Sequence, residues 1–183
     1  MEAFEVVIDG RIALDVGASA GGFTRVLLEA GASKVYAVDG GHGQLLGSLR
    51  QDSRVVNLEA TNLAELDRAN VPDVIGVVTI DLSYLALSVA APQLARVRLA
   101  RHADAVALVK PQFELGLAEP PSDPERLAQA VAKAQAGFET SGWTVVEAIE
   151  SPIRGARGAI EYLLHARRNA EGLYPRSDGY DAE

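Results

Sequence analysis

Asp81 follows the apolar run Val74–Ile80, and Lys110 follows the run 105–109. If those runs are neighbouring strands, a carboxylate and a lysine meet at one point beyond their ends. Such a lysine can take a proton from a hydroxyl only when burial lowers its pKa toward neutrality, because an adjacent carboxylate alone raises it. A purely structural ion pair is the alternative. Asp15, Asp39 and Asn62 also stand at the ends of apolar runs. In open α/β sheets ligands bind outside the carboxyl ends of the strands, so polar residues gathered on that edge describe a site.

The second chemical signal is the stretch Ile12-Ala-Leu-Asp-Val-Gly-Ala-Ser-Ala-Gly-Gly-Phe-Thr24. A short apolar run breaks at Gly17 and passes through small residues, Ala18, Ser19, Ala20, Gly21 and Gly22. It resumes with Phe23, Val26, Leu27 and Ala30 at the spacing of one buried helix face. A strand, a glycine-rich turn and a helix N-terminus let a ligand approach the backbone closely. A second strand, Val35 to Val38, ends in Asp39, placed as an acceptor for a ribose hydroxyl pair. Together these point to a nucleotide-type cofactor. The dinucleotide fingerprint G-x-G-x-x-G is not matched. The order here is Asp15-x-Gly17-x-x-x-Gly21-Gly22, and Asp15 suits a cationic ligand better than a pyrophosphate. This pattern is similar to motif I of class I S-adenosylmethionine (SAM)-dependent methyltransferases, in which the acid lies near the methionine moiety.

The elements that must position these residues follow in regular alternation. After the first helix, Gly31 stands in the capping position. A helical stretch is expected over 44–51, a third strand over Val55 to Leu58, and a fourth over Val74 to Ile80. Residues 83–101 read as mostly helical, interrupted by Pro92. The fifth strand is 105–109, then a Pro-rich loop over 114–124 and an amphipathic helix over 124–141. Two last strands, 143–149 and 160–166, read as an antiparallel pair closing the sheet. The pattern predicts an α/β fold: a doubly wound, mostly parallel seven-stranded sheet with an antiparallel last strand.

The chain has 183 residues, which suits one domain with a sizeable core. Its 48% hydrophobic and 23% charged residues are ordinary globular composition. No apolar run reaches membrane-spanning length, and the N-terminus lacks a basic-then-apolar signal pattern. The absence of cysteine excludes disulfides and cysteine-ligated metal and is compatible with a cytoplasmic protein. His42, His102 and His165 lack ligand spacing, so no metal site is expected. The formal charge of −8 runs against unaided nucleic-acid binding, which usually shows a basic footprint.

Leu14-Asp-Val-Gly-Ala-Ser-x-Gly-Gly-Phe-Thr24, Val35-Tyr-Ala-Val-Asp39, Gly43-Gln44-Leu45, Leu49-Arg50-Gln51-Asp52, Asp81-Leu-Ser83 and Leu108-Val-Lys-Pro-Gln-Phe-Glu114 together resemble the hemolysin (TlyA) branch of the FtsJ-like RNA methyltransferases. The resemblance covers roughly residues 11–168, and it implies a Rossmann-like methyltransferase domain over 1–168 followed by a flexible tail, 169–183. It implies SAM as cofactor, S-adenosylhomocysteine as product and ribose 2′-O-methylation of ribosomal RNA as activity. The family's Lys-Asp-Lys-Glu tetrad maps its aspartate to Asp81, its second lysine to Lys110 and its glutamate to Glu161. Around the cofactor the resemblance and the motif together place Asp15, Gly17, Ala18, Ser19, Gly21, Gly22, Phe23, Asp39, Asn62 and Asp81.

The sequence also departs from the family. The family's first tetrad lysine precedes motif I, and Lys34, Lys110 and Lys133 all lie after it. A small N-terminal RNA-binding domain and a basic loop after Lys-Pro-Gln-Phe-Glu are expected in the family. Here Leu115-Gly-Leu-Ala-Glu-Pro-Pro-Ser-Asp123 stands in the loop's place, and Ala159-Ile160 replaces an Asn-Arg pair. Three readings follow: an rRNA ribose methyltransferase, an O-methyltransferase of a small hydroxylated metabolite, or a SAM-binding domain without catalysis. The sequence leaves the acceptor and the oligomeric state open.

Overall fold

The computed structural model describes residues 4–168; the expected tail over 169–183 lies outside them. Seven strands form one sheet: β1 (Ile12–Val16), β2 (Lys34–Asp39), β3 (Val55–Glu59), β4 (Val74–Ile80), β5 (Arg98–Val109), β6 (Trp143–Glu150) and β7 (Tyr162–Arg168). The helices are α1 (Gly22–Glu29), α2 (Gly47–Arg50), α3 (Leu87–Ala90), α4 (Pro111–Leu115) and α5 (Pro124–Thr140). The strand order is β3-β2-β1-β4-β5-β7-β6. β1, β2, β3, β4 and β5 pair in parallel, whereas β7 is antiparallel to both β5 and β6. The expected fold class is therefore the observed one, with the last strand inserted between β5 and β6.

Side chains alternate across a strand, and this builds a core on each face. From β1, Leu14 and Val16 enter the larger cluster with Ile80, Leu94, Phe138 and Trp143. Ala13 enters the other, with Leu27, Leu28, Leu45, Leu49 and Val77. The larger face is covered by α5. Its N-terminus is fixed by Pro124 and by Asp123, whose side chain accepts from the Arg126 N–H at 3.0 Å. Leu127, Ala130, Ala134, Gly137 and Phe138 are its buried stripe. At Gly137 a Cβ would lie 2.4 Å from the Ser88 Cα, so α3 can approach only because no side chain intervenes.

Four local expectations are corrected. The helix expected over 44–51 shrinks to α2, because the Glu59 carboxylate takes the Gln44 and Leu45 N–H groups at 2.5 and 3.0 Å. The helical stretch expected to reach Arg101 ends earlier. α3 and a 3₁₀ segment (Ala91–Arg96) are followed by β5, whose Arg98 and Leu99 pair with Val74 and Ile75 of β4. The loop expected from Glu114 starts after α4, which ends at Gly116 in a left-handed conformation. The buried face of α1 is Thr24, Leu27 and Leu28, while Val26 is exposed, so the helix is rotated from the expected face.

Candidate active site

The carboxyl ends of β1, β2 and β4, with the loop after β3, surround a cavity of about 270 Å³. Its walls include Gly17 and Ser19 from the glycine turn, Asp39 from β2 and Gln44 from the next loop. Thr61 and Leu63 come from the loop after β3, and Asp81, Ser83 and Tyr84 from the loop after β4. Apolar walls from Val38, Leu63 and Leu82 beside a carboxylate, an amide and hydroxyls fit an adenosine-type group, with a flat ring and a ribose diol. Ligand pockets of this kind usually combine an apolar lining with a few placed polar groups.

The glycine turn is shaped by what surrounds it. Gly17 has φ +84, and a Cβ there would lie 2.1 Å from the Asp81 carbonyl oxygen. The Gly17 and Ala18 N–H groups both donate to the Val38 carbonyl, at 2.8 and 3.0 Å. Asp39 accepts from the Ser19 N–H at 2.8 Å and from the Gly41 N–H at 2.6 Å, which aims its carboxylate along the cavity rim. Ser19 Oγ lies 3.2 Å from the Gln44 Oε1, joining the turn to the opposite loop.

Asp15 is placed differently from the expectation. It shares the strand face of Ala13, which packs toward α1, and is fully buried. Thr24 Oγ1 donates to its Oδ2 at 2.6 Å and Thr79 Oγ1 to its Oδ1 at 2.8 Å. Burial pushes its pKa up to about 6, against the opposing effect of these hydrogen bonds. It does not line the cavity, and in this placement it clasps β1, β4 and α1 together instead of meeting a cationic ligand. Asn62 is also outside the lining. Its backbone N–H and side-chain amide both donate to Glu65 Oε2, at 2.7 and 3.1 Å. Ala18 and Gly21 are buried within the turn, where a Cβ on Gly21 would strike Leu49. Gly22 faces open space, and neither it nor Phe23 lines the cavity.

Beside the cavity, Asp81 and Lys110 meet as the strand ends predict. Lys110 Nζ lies 2.5 Å from Asp81 Oδ1 and donates to Ser83 Oγ at 3.1 Å. The lysine is positioned by its place between β5 and α4, where Pro111 starts the helix. Glu114, in the same motif, is structural. Its carboxylate accepts from the Leu87 N–H and from Ser88 Oγ, tying α4 to the start of α3. Glu161 precedes β7 and is only 7% exposed. Burial pushes its carboxyl up, the Lys110 charge pulls against this and the Asp81 charge adds to it, so the three groups share one electrostatic site. The loop above presses on it: a Cβ at Gly155 would lie 2.1 Å from Glu161 Oε1.

The structure therefore brings Gly17, Ser19, Asp39 and Asp81 to one cavity, with Lys110 and Glu161 coupled to Asp81. Sequence reasoning passed over Gln44, Thr61, Leu63, Ser83 and Tyr84 as site residues. Gln44 and Ser83 stood inside quoted motifs, whereas nothing local marked Thr61 or Leu63.

The sequence profile of FtsJ-like methyltransferases matches residues 1–168. The 16S/23S rRNA (cytidine-2′-O)-methyltransferase TlyA of Mycobacterium tuberculosis is 41% identical over 176 residues, covering 93% of this chain and 65% of that protein. Hemolysin A of Brachyspira hyodysenteriae is 38% identical over 173 residues, covering 88% of this chain and 70% of that protein. The chain thus spans somewhat less than two thirds of the mycobacterial relative. Among solved structures, a hemolysin-like protein from Streptococcus thermophilus superposes with a TM-score of 0.86 at 35% identity, over 92% of this chain and 62% of that one. The fibrillarin pre-rRNA processing protein of Methanococcus jannaschii, at 15% identity and a TM-score of 0.70 over 91% of this chain and 70% of that one, shares the fold.

Proposed function

The chain belongs to the FtsJ-like methyltransferase family, and we propose that residues 1–168 form a domain that methylates the 2′-hydroxyl of a ribose in ribosomal RNA, with SAM as donor. The observation that carries this reading is the Lys110–Asp81 pair, 2.5 Å apart at the rim of a cavity suited to adenosine. Asp39 would hold the ribose diol, with Gly17 and Ser19 against the donor, and Val38, Leu63 and Leu82 would enclose the adenine. Asp15 supports this site from beneath, and so would Ala18, Gly21, Gly22, Phe23 and Asn62 around the turn and loop.

Bound SAM supplies an electrophilic methyl group on a sulfonium. The chain's own residues orient the acceptor and handle its proton. A neutral Lys110 Nζ that takes the hydroxyl proton becomes an ammonium. Asp81, Ser83 and the charge of Glu161 stabilise that ammonium where it forms. Holding hydroxyl and methyl in one near-attack geometry supplies much of the remaining acceleration.

No described helix is long and apolar enough to cross a membrane, and an rRNA substrate would place the protein in the cytoplasm. A second reading, O-methylation of a small hydroxylated metabolite, is favoured by one observation, the formal charge of −8. Transfer of radiolabelled methyl from SAM to ribosomal subunits, followed by mapping of 2′-O-methyl ribose, decides between them. Label at a ribose supports the rRNA reading. SAM binding with label only on small hydroxylated compounds supports the second.

A further inference from the structure

Tyr84 is the one aromatic side chain among the described residues that is exposed; the others are buried or half-buried. It is 56% exposed although it lines the cavity alongside Asp39, Leu63 and Asp81. Its phenol lies within reach of the Leu63 backbone, and burial together with the Asp39 charge keeps the phenol protonated well above neutrality. The ring therefore spans from the loop after β4 to the loop after β3, with its polar end held and much of its apolar surface in water. Leaving that area exposed forgoes about 25 cal/mol per Å² of stabilisation that burial would give, so the fold gains little from the ring in this place. One residue earlier, Ser83 Oγ is 3.1 Å from Lys110 Nζ, and consecutive Cα atoms are about 3.8 Å apart. The ring and the proton-handling ammonium are thus separated by no more than the reach of one nucleoside, from its base to its ribose hydroxyl.

We propose that the exposed face of Tyr84 is the stacking platform for the base carried by the acceptor ribose. The acceptor class is then an unstacked nucleotide in a loop, bulge or splayed strand, because a base paired inside a duplex has no free face to offer. This rests on the methyl-transfer reading above and narrows it from any ribose hydroxyl to one whose base is free. Stacking does not depend on charge, which suits a chain whose formal charge is −8.

The test measures fluorescence anisotropy of a short fluorescein-labelled single-stranded RNA at low salt with saturating S-adenosylhomocysteine, beside calorimetry with SAM. Tyr84→Ala and Tyr84→Leu are expected to weaken RNA binding about tenfold or more, as loss of one base–aromatic stack does. Tyr84→Phe is expected to stay within about twofold of the parent, and all three variants to bind SAM with parental affinity. The slope of affinity against salt is expected to stay unchanged, because no phosphate contact is removed. Parental RNA affinity in Tyr84→Leu overturns the proposal, and so does a parent chain that binds SAM but no RNA. A loss confined to SAM affinity also overturns it, and assigns the ring to covering the cofactor. A parent chain that binds neither SAM nor S-adenosylhomocysteine overturns the methyl-transfer reading itself.

Discussion

The Gly17 Cα faces the carbonyl of Asp81 so closely that a Cβ would lie 2.1 Å from its oxygen. The Asp81 N–H in turn donates to the Val16 carbonyl at 2.8 Å. The turn proposed for the donor and the carboxylate proposed for the lysine are thus one packed unit at the ends of β1 and β4.

Gly17→Ala is expected to lose SAM binding and about 3 kcal/mol of stability, from overpacking against backbone and a left-handed φ. Gly22→Ala has free space and is expected to keep or slightly raise the melting temperature. Calorimetric SAM titration of both variants, beside thermal melts, checks the contrast. Parental SAM affinity in Gly17→Ala would remove the turn from the cofactor site.

Lys110→Ala is expected to lower methyl transfer at least about 100-fold, within the usual range for a general base, while SAM affinity stays within about twofold. Single-turnover transfer and calorimetry on the same preparation separate the two effects. Loss of SAM binding would make the lysine a structural residue.

Asp15 has a folded pKa raised to about 6, so the native state binds the extra proton. Stability from this group is full below the unfolded carboxylate range and is lost as pH rises through about 6. Asp15→Asn, which keeps shape and hydrogen-bonding capacity, is expected to raise stability at pH 7.5 by about 2 kcal/mol and to leave it nearly unchanged near pH 4. Urea denaturation of parent and variant across that range measures it. A variant less stable at pH 7.5 would show that the charged form is the favoured one.

Asp104 carries the opposite sign. It is buried, 2.8 Å from Arg11 Nη1, 2.9 Å from His165 Nε2 and 3.0 Å from Arg167 Nε. These hydrogen bonds outweigh its burial and hold its carboxyl well below the usual range. Its contribution is present above the ordinary carboxylate pKa and is lost as pH falls below it. Asp104→Ala is expected to cost about 3–5 kcal/mol, because buried partners are left unpaired. Chemical denaturation at pH 7 checks this; a cost under about 1 kcal/mol would mean that water replaces the carboxylate.

The sequence by itself determined the order of strands and helices, the glycine turn, and the meeting of Asp81 with Lys110. Each of these is written in local pattern: apolar runs set the strands, and a parallel sheet collects whatever follows their carboxyl ends on one edge. Only the tertiary structure decided which way Asp15 points. Its parity with Ala13 turns it toward α1, and Thr79, 64 residues away, completes its hydrogen bonds. The tertiary structure likewise decided that Thr61 and Leu63 line the cavity in place of Asn62, that Gly155 presses on Glu161, and that Tyr84 stands exposed at the rim. These relationships depend on loops packed against distant strands. A loop's conformation is set by the partners its backbone and side chains find across the fold, and periodicity within the loop carries no record of them.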